Sequence, residues 1–562
     1  MREPLPPNAR FDIGARQYPR CYRFSDIAIR MSDGAVLSAD LTLPGDQNGP
    51  AAGPLPVVLN FTPYNKMLPR IFDGSRMRAL ARDTLVSRGY AYLMVDVRGT
   101  GTSTGRWDLL GENEQRDYLE VLRWAREQPW SNGQLAVRGI SYGALAALII
   151  AGLQPDGLVA IFAIEGAENA VRELVPGGVP SRTVAISLAA VSVLSWIPSI
   201  GGLIKTGTWR RCLRDRVQEP FSWIGHALKI ALAKDHPDIY LNAMWASRIP
   251  QLRKITVPTW IHGGWHDVYA RSNFRMYDRI ATPPGAKQVL VDDSYHTEPG
   301  SGFGAPEAPQ YLDELQCAWF DRWVKGIDNG IDRYGPITVR RLGGGWVSHN
   351  QYPDPAARVR RLYLSADASG FPERTGIDAS LVAQAPEHQQ RLPVPAGRNS
   401  IRTAVTFTTK PFDADVVLSG PLNLHLWVEA EGSEAIWAVT VADVEPTAVS
   451  AEISRGALLS SLRAIDETAS TYVDGELLVA EHPFTAASVL PVVAGQPFDV
   501  DIDINATEAV IRAGHRLRVA VSRSSFPRHL FSRSQRRKIK GQTIIVDPAH
   551  PSYLTFLAVT AT

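Results

Sequence analysis

Apolar and polar positions along this chain fall into three successive regimes. Residues 25–43 (SDIAIRMSDGAVLSADLTL) alternate apolar and polar positions around an Asp-Gly pair, the pattern of a β-hairpin. Dense apolar runs follow at LPVVLNFTPY (55–64) and AYLMVDVRG (91–99), and a third strand-like run at QLAVRGIS (134–141). MRALARDTLVSRG (77–89) and ENEQRDYLEVLRWAREQ (112–128) separate the three with helical spacing. Strands that are apolar on both faces and alternate with helices predict a parallel sheet covered on both sides. ALAALIIAGL (144–153) is too short to cross a bilayer and predicts a buried helix.

From about residue 165 the rhythm changes. Helix-like segments broken by Pro and Gly carry Trp196, Trp209, Trp223 and Trp245, without a strand pattern. Alternation of strand and helix resumes with KITVPTWIHGGWHD (254–267) and AKQVLVDDSYH (286–296), and the last helix is expected at YLDELQCAWFDRWVKG (311–326). We therefore expect one α/β unit in two parts, residues 1–150 and 246–355, interrupted by a helical insertion over residues 151–245. Beyond 355, short alternating strands (VRRLYLS, LNLHLWVEA, EAIWAVTVADV, QPFDVDIDI, HRLRVAVSR) are separated by turn residues. They predict an all-β sandwich or jelly roll over residues 356–562.

Composition narrows the function classes. The 59 Lys and Arg nearly balance the 57 Asp and Glu in 562 residues, which leaves no broad basic footprint for nucleic acid. The cluster RSQRRKIK (533–540) reads as a solvated loop. Cys21, Cys212 and Cys317 lie far apart without a C-x-x-C pair, which argues against a disulfide framework or a thiolate metal site and predicts buried free thiols. The N-terminal MREPLPPNARFDIGARQYPR lacks an apolar signal core, so a soluble, cytoplasmic protein is expected.

Candidate chemistry centres on GISYG (139–143), a G-x-S-x-G pattern between a predicted buried strand and a predicted helix. A serine there is held on a strained turn that needs small neighbours, and Gly139 and Gly143 supply them. Serine is a weak nucleophile until a base takes its proton, so a histidine and an orienting carboxylate must follow. Asp267 ends one strand-like run and His296 follows another, which gives the order Ser141, Asp267, His296. Asp292 and Asp293 compete as the acid. His262 and His266, four apart, could suggest a metal, but Gly263-Gly264 between them spoils a zinc-binding helix. Asp96 and Arg98 in VDVRGTGTSTG read as loop anchors, because the phosphate-loop pattern is absent. An oxyanion needs donors: the Tyr142 N–H is one, and Tyr64 stands on an earlier strand-end loop, where packing explains it equally well.

Taken together these segments resemble the cocaine-esterase-like and X-Pro dipeptidyl-peptidase (peptidase S15) group of serine hydrolases, which includes α-amino-acid ester hydrolases. The resemblance rests on TPYNK (62–66), DVRGTGTSTGRW (96–107), QPWSNGQLAVRGISYGA (128–144), VPGG (175–178), KITVPTWIHGGWHD (254–267), CAWFDRWVKG (317–326), SRGALLSSLRA (454–464) and AGHRLRVAVSRSSFP (513–527). It implies an α/β-hydrolase fold with an inserted helical cap and a C-terminal jelly roll. It also implies Ser141 as nucleophile, His296 as base, Asp267 as acid, and the Tyr64 hydroxyl with the Tyr142 N–H as oxyanion hole. Two positions depart from the family pattern: the histidine sits in DDSYH rather than G-P-W-x-H, and His266 stands before the acid where Tyr is common.

The expected activity is hydrolysis of carboxylic esters through an acyl-enzyme, with no cofactor and no metal. X-Pro dipeptidyl-peptidase, amino-acid ester hydrolase or acylase, and acyltransferase chemistry are the alternatives. Tyr269 and Trp196 are the candidate pocket residues. Glu165, Glu168 and Glu173 could hold a substrate ammonium, or could form a solvated helix face. The expected partner is a small-molecule ester or amide, with a homo-oligomer as a further expectation and neither nucleic acid nor membrane.

Overall fold

The computed structural model describes residues 5–67, 81–178, 193, 195–218, 240–371, 376–396, 403–524 and 537–560. Strands β1 (Arg20–Arg30) and β2 (Val36–Asp46) form the antiparallel hairpin read from the alternation. Its turn is closed by the Asp33 carboxylate, which accepts from the Ala35 N–H at 2.9 Å, and by Gly34 at φ +81°. The short β3 (Gly49–Pro50) pairs with β2. The remaining strands of this sheet are β4 (Leu55–Thr62), β5 (Ala91–Asp96), β6 (Ser131–Ile140), β7 (Leu158–Ile164), β8 (Thr259–Gly264), β9 (Lys287–Asp292), β10 (Ile337–Arg340) and β11 (Trp346–His349).

The order across the sheet is β1-β2-β5-β4-β6-β7-β8-β9-β10-β11, with β3 beside β2. From β5 to β10 every pairing is parallel. Side chains alternate across its faces, as a strand period of two requires. Val57, Leu59 and Phe61 of β4 pack into one apolar cluster with Leu93 and Val95 of β5, while Val58, Tyr92 and Met94 enter another on the opposite side.

Helices α1 (Asp83–Val86), α2 (Glu112–Arg126) and α3 (Tyr142–Gly152) belong to this unit. Tyr118, Val121, Leu122 and Ala125 form the buried stripe of α2. All residues of α3 are buried, as its unbroken apolar run requires. The insertion contributes α4 (Ala170–Leu174), α5 (Ile200–Thr206), α6 (Trp209–Gln218) and α7 (Ala243–Ala246) among the described residues. After them come α8 (Ser272–Arg279) and α9 (Leu312–Trp323), the latter covering the second face with Leu315, Trp319 and Phe320. Among the described residues no helix is long and apolar enough to cross a membrane.

Residues 358–560 build a separate β-rich domain. Among the described residues eleven of its strands form one sheet that closes on itself, because Val416–Ala430 pairs with the last strand, Tyr553–Thr560, as well as with Phe498–Ile511, and Thr471–Val473 pairs with Glu476–Val479 in a separate hairpin. The strand-like runs seen in the sequence lie within strands Arg358–Ser365 and Val416–Ala430, or overlap Ile436–Val444, Phe498–Ile511 and Arg516–Ser522.

Several expectations need correction. The insertion expected from residue 151 opens on β7, a central strand of the first sheet, so the helical segment begins after it. LVAIFAI is a short apolar run soon after a buried helix, and periodicity alone does not separate the two states there. The helix expected over 77–89 is present only as Asp83–Val86, ending before Gly89 at φ +87°; residues 77–80 lie outside the described residues. Trp223, residues 525–527 and the first half of the basic cluster (533–536) also lie outside them. Cys212 and Cys317 are buried, but Cys21 is exposed on the edge strand β1.

Candidate active site

β6 runs directly into Ser141, and α3 starts at the next residue. Ser141 has φ 56° and ψ −118°, a conformation that costs a non-glycine residue about 1–3 kcal/mol. Gly139 makes the turn fit, since a Cβ there would lie 2.1 Å from the Gly143 carbonyl carbon. A helix-capping serine normally turns its hydroxyl onto its own helix, but the Ser141 side chain makes no such bond. Its carbonyl starts the helix instead, accepting from the N–H groups of Ala144 (2.9 Å) and Leu145 (3.0 Å). The hydroxyl is left to lie 2.8 Å from His296 Nε2.

Four adjacent parallel strands, β6 to β9, end on this edge of the sheet. Asp267 lies three residues past β8, His296 four past β9, and Glu165 directly past β7. His296 Nδ1 is 2.6 Å from Asp267 Oδ2 and 3.3 Å from Glu165 Oε2. A carboxylate on Nδ1 keeps the proton there, so Nε2 is free to accept from the serine. Asp267 is itself 1% exposed, and its Oδ1 accepts from the Tyr269 N–H at 2.6 Å. The loops after β8 and β9 are tied by Trp265 N–H to Asp292 O (2.9 Å) and His266 N–H to Ser294 O (3.2 Å). That approach requires Gly264, where a Cβ would stand 2.4 Å from Ser294 O.

The rival groups are occupied elsewhere. Asp292 accepts from the Gly300 N–H (2.8 Å) and lies 3.5 Å from His262 Nε2, while Asp293 lies 3.1 Å from His266 Nε2. His262 is buried and His266 stacks on Tyr295, so the two histidines do not converge on one point.

On the other side of Ser141 the Tyr142 N–H donates to the Tyr64 hydroxyl at 3.3 Å, so two donors meet beside the serine. Burial pushes the phenols of both Tyr64 and Tyr269 above their ordinary range, and the Ser141 side chain acts on both in the opposite sense. Tyr269 also packs edge-on against the His296 ring. It therefore stands within the hydroxyl cluster and not on an outer pocket wall. The Tyr142 phenol points away, donating to Glu114 Oε2 at 2.6 Å and accepting from the Leu110 N–H and Trp107 Nε1. Burial pushes Glu114 up to about 7 against the pull of the Tyr142 and Tyr118 hydroxyls.

A residue that spacing did not single out holds Tyr64 in place. Lys66 is fully buried, its Nζ 2.6 Å from Asp26, 3.5 Å from Asp40 and 3.7 Å from Asp96. The Lys66 N–H donates to Asp96 Oδ1 (2.7 Å) and the Thr102 N–H to Oδ2 (3.0 Å), which draws the loop after β5 around the carboxylate. Asp96 is thus the loop anchor expected, whereas Arg98 pairs with Asp117 (2.5 Å) and Asp33 (2.6 Å). Lys66→Met would leave three buried or half-buried acids without their shared cation. It should lower unfolding stability in urea by about 3–5 kcal/mol and reduce kcat by misplacing Tyr64.

A cavity of about 380 Å3 lies between the two domains. Asp267, His296 and Glu173 form part of its wall on one side, Phe484, His482 and Arg455 on the other; Ser141, Tyr64 and Trp196 are not in the wall. Trp196 is 38% exposed, and its neighbours are bound elsewhere, Ser195 O by the Gly101 N–H and Ile197 O by Asn65. The three glutamates do not form a solvated face, for all are buried. Glu168 is held below its ordinary range by Arg275, Arg271 and Arg279. Glu173 bonds Ser272 Oγ and is pushed up to about 8 by burial.

The same arginines clamp the domains: Arg271 reaches Asp503 (2.7 Å) and Glu481 (2.9 Å), and Arg275 reaches Glu481 (2.6 Å). Arg455 donates to the carbonyls of His266 (3.2 Å) and Asp267 (3.5 Å), so the β-rich domain touches the acid loop directly. VPGG and SRGALLSSLRA prove to be contact partners. Gly177, at φ +59°, lies so close to strand Ser450–Leu459 that a Cβ would stand 1.8 Å from Ala457 O.

Comparison with known proteins follows the same division. Residues 33–298 match the family described as X-Pro dipeptidyl-peptidase (S15 family), and residues 329–555 match the X-Pro dipeptidyl-peptidase C-terminal non-catalytic domain. The chain is 24% identical to a cocaine esterase of Rhodococcus, over 90% of this chain and 91% of that protein. A CocE/NonD family hydrolase of Staphylococcus aureus superposes with a TM-score of 0.75 at 20% identity, covering 96% of this chain and 93% of the other. An α-amino acid ester hydrolase superposes with a TM-score of 0.68 at 17% identity, covering 97% and 98%.

Proposed function

The chain belongs to the X-Pro dipeptidyl-peptidase (S15) family of serine hydrolases, and we propose that it is a serine carboxylesterase acting through Ser141, His296 and Asp267. The observation that carries this is the unbroken chain from Ser141 Oγ through the imidazole to Asp267, at 2.8 and 2.6 Å. In this reading the first domain is an α/β-hydrolase unit split after β7 by a helical cap, and the β-rich domain is a jelly roll.

His296 Nε2 takes the serine proton as Oγ attacks the acyl carbonyl, and the Asp267 carboxylate stabilises the imidazolium that forms. The carbonyl oxygen becomes an oxyanion between the Tyr64 hydroxyl and the Tyr142 N–H. His296 returns the proton to the leaving alcohol, and the C–O bond breaks. Water then repeats the cycle on the acyl-enzyme and releases the acid. Tyr64, its phenol raised above the ordinary range, keeps its proton at neutral pH and so remains a donor.

Preference for esters over amino-terminal substrates rests on the glutamates. A substrate ammonium needs an available carboxylate, yet Glu168 is neutralised by three arginines and Glu173, pushed up to about 8, is protonated at pH 7. Turnover of p-nitrophenyl esters of aromatic and aliphatic acids, set against X-Pro-p-nitroanilides, tests the assignment. Esters should be cleaved, and a fluorophosphonate should label the peptide carrying Ser141. Cleavage of the anilides alone would overturn the esterase assignment, and a label on another serine would overturn the nucleophile.

A further inference from the structure

Glu165 lies against the imidazole without a part in the cycle above. It follows β7 directly, at φ +51°, a left-handed conformation uncommon outside glycine, and its N–H donates to His262 O at 2.7 Å. The carboxyl is 0% exposed, and neither oxygen has a hydrogen-bond partner. An unsatisfied buried polar group costs about 1–3 kcal/mol, so an apolar side chain would suit this position better if packing were its purpose. What the carboxyl faces is the catalytic histidine: Oε2 is 3.3 Å from Nδ1, the atom already 2.6 Å from Asp267. Glu165, Asp267 and His296 present polar atoms all within 4.8 Å of one another.

The topology explains the meeting. β7 lies between the strand that delivers Ser141 and the strand that leads to Asp267, and all run parallel to the same edge. An acid at the end of either β7 or the β8 loop can therefore reach one imidazole. We propose that Glu165 is a second orienting acid for His296, sharing Nδ1 with Asp267 and able to take over the imidazole when Asp267 loses its charge. This rests on the triad assigned above.

Electrostatics decides how the two acids divide the role. Burial, then the charges of Asp267 and Asp292, push Glu165 well above the usual carboxylate range and so favour its protonated form. Tyr64 would feel the charge of an ionised Glu165, and His262 lies beside Asp292. Two carboxyls at this separation do not both ionise readily. Removing the Asp267 charge removes one of the forces that keep Glu165 protonated, and the freed carboxylate then takes the Nδ1 proton donor.

The test is kcat/KM against pH for wild type, D267N, E165Q and D267N/E165Q on a p-nitrophenyl ester, with thermal unfolding of each. A triad that loses its sole acid falls about 10⁴-fold. Here D267N should fall only about 10²-fold, and its rate should climb with pH as Glu165 ionises. In D267N/E165Q the loss should reach the full ~10⁴ of an acid-free triad, and the climb should vanish. E165Q alone should cost no more than a small fraction of that. D267N/E165M, which keeps the volume without an acid, should reproduce the D267N/E165Q result if E165Q perturbs folding. D267N and D267N/E165Q with equal rates and the same pH profile would overturn the proposal. Activity in S141A within about tenfold of wild type would instead overturn the triad, independently of Glu165.

Discussion

Ser141→Ala should lower kcat for ester hydrolysis by about 10⁶-fold, and adding His296→Ala should lower it no further, because members of one proton-transfer unit are not additive. KM should change little, since the hydroxyl contributes to the transition state and not to ground-state binding. The same position makes a second, opposite prediction. Ser141 sits at φ 56°, and that strain is relieved by glycine, which adopts positive φ freely. Ser141→Gly should therefore be equally inactive yet unfold at a higher temperature than Ser141→Ala. Stability lost at the residue that chemistry requires is the mark of a functional turn. A loss of only tenfold in Ser141→Ala would remove Ser141 from the mechanism, whatever its distance to His296.

The sequence made some of this geometry legible and hid the rest for identifiable reasons. Ser141, Asp267 and His296 could be named because each follows a strand whose apolar run is strong, and because a strained serine turn leaves glycines at fixed offsets. β7 was hidden, since LVAIFAI follows the equally apolar α3 after only five residues and a short apolar run has no period of its own. Glu165 was hidden with it, as its meaning comes from ending that strand. Lys66 stood in plain sight within TPYNK, but its partners Asp26, Asp40 and Asp96 come from β1, β2 and β5. No local spacing announces such a cluster. Trp196 lies outside the wall of the cavity between the domains, and an aromatic in an insertion carries no directional information in sequence.

The β-rich domain bears on the chemistry more than a distant appendage would. Arg455 holds the carbonyls on either side of the acid loop's turn, and Arg271 and Arg275 fasten α8, just past Asp267, to Glu481 and Asp503. Asp267 is thereby held from both domains, and the close approach at Gly177 fixes the distance between them. Such a clamp keeps the 2.6 Å contact between His296 and Asp267 from depending on one loop alone.

Tyr64→Phe should lower kcat by about 10²–10³-fold, the range for losing one preorganised oxyanion donor. The phenol accepts from the N–H of Tyr142, the residue after Ser141, so it stands where the oxyanion would form and not where a bound ester is merely recognised. KM should consequently move far less than kcat. Tyr142→Phe supplies the contrast, since that substitution leaves the N–H in place. It removes the hydroxyl that joins Glu114 to the Leu110 N–H and Trp107 Nε1, and unsatisfied buried partners cost about 1–3 kcal/mol. The two tyrosines should thus separate cleanly: Tyr64→Phe folds normally and loses turnover, whereas Tyr142→Phe loses stability first and its kcat falls far less. If instead Tyr64→Phe lowers the unfolding midpoint and leaves kcat within a few-fold of wild type, Tyr64 is a packing residue, and the oxyanion rests on the Tyr142 N–H and another donor, with Tyr269 the nearest hydroxyl available to replace it.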